Sequence, residues 1–411
     1  MDISYSPAAE QFRAEVREFL ASSLPSDWRG LGALEGDVAR AFIAQWRQQL
    51  QAAGYLAPAW PTQYGGGGLT KLEQVVLVEE FARAGVPFNG ENDTFSIKMV
   101  GNVLLRFGTE EQRAHFLPRI LSGEDKWCQG FSEPEAGSDL ASLRTKASLE
   151  GDSWVINGQK VWTSSAMTAN WVFVLARTAP DKPRHEGITA LLVPLDQPGI
   201  EIRPIKMMTG ESEFNEVFLT DARTDAGNVV GEIDGGWDVA RGLLGHERGE
   251  EAATNPIYFR AEFDRLLAMA QENGAANDPV IRQRLADCYS RVQIMRYLGL
   301  RTLTKWLTGE RLGVDASISK LYWSEYHVLV TDLALDIAGL AAMTPTGRKP
   351  LRSYRADDPG APNDTASWAT VAMTARSGTI YAGTSEVQRN IIAETVFGLP
   401  RELRGDESVP A

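Results

Sequence analysis

An α+β multidomain protein is predicted, with a helical domain over residues 1–125, a β-rich domain over 126–232 and a second helical domain over 233–411. Three observations carry this. The 411 residues exceed the size at which a single hydrophobic core usually stops growing. Apolar residues recur at three- and four-residue steps toward both ends of the chain. Between those regions come short β-rich runs separated by turn residues, the pattern of a small sandwich or barrel.

The first helical pattern runs from Ser6 to about Gly123, where Phe12, Val16, Phe19 and Leu20 share one stripe and Leu77, Phe81 and Ala84 another. Within it, Tyr64-Gly65-Gly66-Gly67-Gly68-Leu69 is rich enough in glycine to suggest a phosphate loop. No strand precedes it and no Lys-Ser/Thr follows, so a flexible turn is the expectation. From Trp127 to about Gly231 the period becomes that of strands. Ser153-Trp154-Val155-Ile156 and Lys160-Val161-Trp162 flank Asn157-Gly158, a two-residue hairpin signal. Trp171 to Leu175, Ile188 to Val193, Ile200 to Ile205 and Val217 to Leu219 read as further strands. Helical periodicity returns from Gly236 to about Phe397, interrupted by a Pro/Gly/Asp-rich loop from Thr344 to Asp364.

A formal charge of −13 and the lack of a basic stripe exclude a nucleic-acid binder, and mean that any acidic ligand must be met by local Arg and Lys. Cys128 and Cys288, the only cysteines, stand alone, which suggests neither a disulfide framework nor a zinc site. The first residues lack a basic and apolar leader, and no uncharged apolar run approaches the ~18 residues of a membrane span. A cytoplasmic protein with no membrane or nucleic-acid partner is expected.

Two segments offer chemistry. Gln129-Gly130-Phe131-Ser132-Glu133-Pro134-Glu135-Ala136-Gly137-Ser138-Asp139 gathers hydroxyls, an amide and backbone N–H groups near an aromatic ring, which suits the edge of a heterocyclic cofactor. Read by itself, without any resemblance, it is first of all a capped loop. In Trp162-Thr163-Ser164-Ser165 an indole could cover a flat ring while a hydroxyl bonds a ring atom, or the tryptophan could simply be core.

Taken with Tyr381-Ala382-Gly383-Thr384-Ser385-Glu386-Val387-Gln388-Arg389-Asn390 near the C-terminus, these segments resemble the acyl-CoA dehydrogenase family in order and spacing, over nearly the whole chain. The resemblance implies a central β-barrel and a C-terminal four-helix bundle holding FAD between them. It also implies α,β-dehydrogenation of an acyl-CoA to the trans-2-enoyl-CoA, with electrons passed to an electron-transferring flavoprotein. An acyl-CoA oxidase, or a non-catalytic subunit of a heteromeric dehydrogenase, would share the motifs. By position, Gln129, Phe131, Ser132, Trp162, Thr163 and Ser164 match flavin contacts, and Thr384 and Glu386 match contacts to the cofactor's ribityl-phosphate and adenosine portion. Ser138, Arg248 and Ala382 match substrate-side positions, Ala382 through its backbone N–H to the thioester carbonyl. A homo-oligomer, dimer or tetramer, or a heteromer with a related subunit follows from the family's shared cofactor sites.

The chain departs from the commonest pattern in two places. Many members carry their catalytic Glu where this chain has Ala382. The resemblance offers a second base position, used by isovaleryl- and long-chain-type members, and Glu247 occupies it. On the helix predicted from Trp237, Ala240, Leu243, Leu244 and Glu247 share a face, so the carboxylate continues an apolar stripe. Partial desolvation there raises a carboxyl from its ordinary ~4.3 toward useful basicity. Second, Asn273-Gly274-Ala275-Ala276-Asn277-Asp278-Pro279-Val280 and Ala338-Gly339-Leu340 stand where many members have Arg-x-x-Phe-Gly and Gly-Gly-x-Gly, so adenosine binding across a dimer is not expected to follow the usual pattern.

Overall fold

The computed structural model describes residues 5–88, 90, 92–246, 248–310, 313–350 and 359–400. Helices α1 (Pro7–Ser23), α2 (Gly36–Ala52), α3 (Lys71–Ala84), α4 (Asn102–Phe107) and α5 (Glu110–Ser122) come first. Strands β1 (Trp127–Gly130), β2 (Lys146–Glu150), β3 (Ser153–Lys160), β4 (Trp171–Arg177), β5 (Ile188–Pro194), β6 (Ile200–Pro204), β7 (Asn215–Asp225) and β8 (Val229–Val230) follow. Helices α6 (Gly236–His246), α7 (Arg248–Glu272), α8 (Pro279–Thr308), α9 (Asp315–Ala338), α10 (Thr365–Gly378) and α11 (Ser385–Phe397) complete the chain.

The chain packs as two units that interleave along the sequence. One comprises residues 1–35, 71–86 and 248–411, the other 36–70 and 87–247. In the first, α7 to α10 enclose a core of Leu266, Cys288, Val292, Tyr326, Val330, Leu333 and Trp368. Helix α1 starts on Ser6, whose Oγ accepts the Ala9 amide, with Pro7 at the first position where no N–H is needed. Of the predicted stripe it buries Phe12, Val16 and Leu20, while Phe19 is half-buried.

Where α1 meets α3 the interface is ionic. Arg13, with a side chain only 6% exposed, reaches Glu79 at 2.9 Å and Glu80 at 2.6 Å, and Arg17 bonds Glu80 at 2.8 Å. Burial pushes the Glu80 carboxyl up, but the hydrogen bonds from Arg17 and Arg13 and the charge of Arg83 outweigh it and hold it below the usual carboxylate range. Its contribution is therefore present above the unfolded value of ~4.3 and is lost as pH falls through the lowered one. Glu80→Gln should cost ~1–3 kcal/mol at neutral pH, since Arg13 keeps Glu79, and should flatten the acid limb of a stability-versus-pH curve measured by urea unfolding.

In the second unit the strand order is β6-β7-β3-β2-β4-β5-β8, with β1 added parallel to β4. The expected closed barrel is corrected. The outer strands β6 and β8 are not paired with each other among the described residues, and β8 is only two residues long. The sheet curls instead, so that Thr224 Oγ1 on β7 donates to Leu192 O on β5 at 2.6 Å over a core of Val172, Val174, Leu191, Val193, Val217 and Leu219. Strands β4 and β5 are buried on both faces, which explains their unbroken apolar runs.

The expected hairpin at Asn157-Gly158 is also corrected. Strand β3 runs straight through these residues, and the turn is Gly151-Asp152, between β2 and β3. Asn157 lies instead at a bulge opposite β7, where it exchanges two 2.9 Å hydrogen bonds with Asp221. A Cβ on Gly158 would come within 2.4 Å of Thr145 Oγ1, so the glycine serves a close approach and not a turn.

The four-glycine run is no phosphate loop, and it is firmly bonded. The amides of Gly66, Gly67, Gly68 and Leu69 donate to the carbonyls of Pro61, Ala57, Trp60 and Pro58, which leaves none of the four to cradle an anion. No helix among the described residues is long and apolar enough to cross a membrane.

Candidate active site

Strand β1 carries Gln129 alongside Phe173 of β4 and then opens into the loop 131–145. Phe131 turns inward against Phe173, centroids 5.5 Å apart, and Ser132 O accepts the Val161 amide at 2.9 Å. That bond brings the two motif segments side by side.

The neck of the loop is closed by one buried ion pair. Lys160 Nζ, wholly buried, donates to Glu133 Oε1 at 2.8 Å and to Phe131 O at 3.1 Å. The same carboxylate accepts the amides of Arg144 at 2.6 Å and Thr145 at 2.9 Å, so both ends of the loop meet at one group. Burial pushes the Lys160 amine down to about 8, with Glu133 opposing in part. At Glu133 burial raises the carboxyl, but the Lys160 charge, aided by the backbone donors, holds it below its ordinary range. Neither residue stood out in the sequence, because nothing local marks a strand lysine as buried.

Farther round the loop Ser138 is exposed, and its neighbour Asp139 pairs with Arg184 at 2.7 Å. Arg177 Nη2 donates to Ala141 O and its Nη1 to the carbonyls of Arg184 and Glu186, which ties this loop to the β4–β5 connection.

After Lys160 the backbone is strained. Trp162 has φ +60° and Ser165 φ +57°, conformations that non-glycine residues adopt only when their surroundings over-determine them. Here Thr163 does so. It is fully buried, its amide donates to Asn215 O, and its carbonyl accepts from Asn215 Nδ2. The result turns the Trp162 indole outward, 59% exposed, with its ring in a T-shaped contact with Phe214. The indole is therefore not core, which removes the structural reading that the sequence left open.

Toward the C-terminus Ala382, at φ +53°, and Gly383, at φ +90°, form a left-handed turn leading into α11. Thr384 caps that helix, its Oγ1 accepting the Val387 amide. The Glu386 carboxyl lies below its usual range, held first by its own backbone N–H and then by the Thr384 hydroxyl. Of the five described non-glycine residues at positive φ, three lie in the predicted motif segments.

Glu247 and the Arg248 side chain lie outside the described residues. Up to that point α6 is held firmly. Val239, Ala240 and Leu243 are buried, a Cβ on Gly236 would come within 2.6 Å of the Ala190 amide on β5, and one on Gly242 within 2.6 Å of Phe107. The segment replacing Arg-x-x-Phe-Gly is a capped connector, in which Asp278 Oδ1 accepts the amides of Val280 and Ile281 and Asn273 Nδ2 donates to Ile337 O.

Residues 6–124, 128–222 and 234–397 match the N-terminal, middle and C-terminal domains of acyl-CoA dehydrogenases. The chain belongs to the acyl-CoA dehydrogenase family. This acyl-CoA dehydrogenase is 44% identical to the acyl-CoA dehydrogenase IpdE1 of Mycolicibacterium smegmatis over 410 residues, 96% of this chain and 99% of the relative. Among solved structures, the steroid ACAD Tcur3481-Tcur3483 is similar with a TM-score of 0.80 at 33% identity, over 98% of this chain and 100% of that one. The ChsE4-ChsE5 complex from Mycobacterium tuberculosis follows with a TM-score of 0.76 at 30% identity, over 98% of this chain and 100% of that one. Acyl-CoA dehydrogenases are FAD-dependent flavoproteins, and this chain's residues fit that cofactor. The exposed indole offers a flat apolar cover. The half-buried side chains of Gln129, Ser132 and Ser164 engage no described protein partner and are free to bond a ring edge, whereas the Thr163 hydroxyl is sealed inside without one.

Proposed function

We propose that this acyl-CoA dehydrogenase converts a bulky acyl-CoA to its trans-2-enoyl-CoA and passes the electrons to an electron-transferring flavoprotein. The observation that carries the reading is the strained Trp162–Ser165 turn, which presents an indole and a free hydroxyl beside Gln129–Ser132. When bound, FAD supplies the acceptor for the hydride leaving Cβ. Gln129, Ser132 and Ser164 hold its ring edge, Phe131 and Thr163 shape the wall and turn behind them, and Trp162 packs on its face. The capped Thr384–Glu386 segment holds the ribityl-phosphate and adenosine side.

Substrate handling falls to other groups. The Ala382 amide polarises the thioester carbonyl, which acidifies the Cα proton, and Glu247 removes that proton. Ser138 contacts the thioester arm, with Arg248 supporting that side. A bulky, polycyclic acyl group is supported by the similarity to an enzyme described as a steroid ACAD. Two of the similar structures pair distinct chains, which supports a heteromer with a related subunit over a homo-oligomer. Exposed Ile380, Val396, Phe397 and Leu399 around α11 provide apolar surface for such an assembly.

The test is direct. The purified protein should be yellow and release FAD on denaturation, and a panel of CoA esters with a dye acceptor should favour polycyclic over straight-chain acyl groups. A colourless protein that cannot be reconstituted, alone or with a co-expressed related subunit, would refute the proposal. Rapid reoxidation of the reduced enzyme by air would mark an oxidase instead.

A further inference from the structure

Gln388 has no part in the chemistry above, yet its side-chain amide N–H groups are committed. It lies in the first turn of α11, only 3% exposed, and its Nε2 donates to Ala382 O at 3.0 Å and to Gly383 O at 3.4 Å. These are the carbonyls of the two consecutive left-handed residues. An alanine stays at positive φ only where its neighbours leave it no alternative. The ends of the turn are tied by backbone bonds, Tyr381 N to Ser377 O at 3.0 Å and Ser385 N to Thr379 O at 2.9 Å. Among the described residues only Gln388 bonds the middle.

Peptide planarity makes this a statement about direction. The Ala382 amide belongs to the Tyr381–Ala382 plane, whose orientation is set by the planes on either side. The preceding plane is fixed by the bond from the Tyr381 amide, the following one by Gln388 at the Ala382 carbonyl. The amides of Ala382 and Gly383 donate to no backbone carbonyl among the described residues, so the turn gathers its carbonyls on Gln388 and leaves these N–H groups available. Gly383 is fitted to the contact, since a Cβ there would come within 2.5 Å of Gln388 Nε2.

We propose that Gln388 is a positioning residue for catalysis: its carboxamide holds the Ala382–Gly383 turn so that the Ala382 amide points at the substrate's thioester carbonyl. The inference rests on the proposed role of that amide. An apolar or anionic residue at 388 removes the donor, the turn relaxes, and carbonyl polarisation weakens while the rest of the ligand still binds.

Holoenzymes carrying Gln388→Leu, Gln388→Glu or Gly383→Ala test it against wild type, each titrated with an arylacryloyl-CoA whose absorption moves to longer wavelength as its carbonyl is polarised. Wild type should show the red shift and be reduced by a saturated acyl-CoA. The variants should keep their FAD and their affinity for the ligand, lose most of the red shift, and reduce flavin ~10²- to 10³-fold more slowly, the scale of a lost oxyanion donor. Gln388→Glu, close in volume, guards against a mere packing defect. Variants with wild-type red shift and rate would overturn the inference alone. Variants losing FAD in proportion to rate would assign Gln388 a structural role and overturn it too. A wild type that shows neither signal refutes the role of the amide itself, and the inference with it.

Discussion

Replacing Glu247 with Gln should slow flavin reduction by ~10²- to 10⁴-fold while FAD and CoA-ester binding persist, because the amide keeps shape and most hydrogen bonding but cannot accept the Cα proton. Ala382 has only a methyl group, so the position to which the family resemblance assigns the base in many members carries no carboxylate here. Helix α6 leads toward Glu247 with little freedom: Leu243, four residues earlier, is buried, and Gly236 and Gly242 press the helix onto β5 and Phe107. Introducing Glu at Ala382 in the Glu247→Gln background offers a carboxylate from a second position, and partial recovery is expected. Stopped-flow bleaching of the flavin reports each variant. A Glu247→Gln enzyme reduced at the wild-type rate would refute the assignment and make Glu250 or Glu251 the next candidates.

The second large effect is on stability. Lys160→Met would leave the Glu133 carboxylate, 7% exposed, without its counter-charge, and losing one partner of a buried pair costs ~3–5 kcal/mol. The amides of Arg144 and Thr145 still bond Glu133, which places the expected loss toward the lower end of that range. Adding Glu133→Gln should restore much of it, because no buried charge then remains. Urea midpoints of the four proteins close the cycle, and an additive double mutant would show that the pair is not coupled. The pH dependence has a definite sign. With Lys160 at about 8 when folded and ~10.4 when unfolded, the native state binds fewer protons between those values, so this group makes stability rise with pH there. That rise should vanish in Lys160→Met. FAD retention should fall with stability, since the pair closes the loop carrying Phe131 and Ser132.

Much of this protein was legible in its sequence because the relevant signals are local. Three- and four-residue spacing marked the buried stripe of α1, Phe12, Val16 and Leu20, and unbroken apolar runs marked β4 and β5. The order helix, strand, helix and the three motif segments sufficed for the family resemblance, with the absent Glu at Ala382 directing attention to Glu247. Tertiary structure decided what depends on partners distant in sequence. Asn157-Gly158 has the chemistry of a tight turn, but pairing with β7 made it a bulge, since the same residues satisfy either geometry and only the register chooses. That the sheet stays open depends on which strands meet at its edges, β6 at one and β8 at the other, which alternation does not encode. Lys160 reads like any polar strand residue, and its burial appears only when the 131–145 loop folds over it. Read singly, Trp162 fits a core position better than an exposed one. Its exposure follows from a left-handed backbone held by Asn215, fifty-three residues away, and no local pattern carries that information.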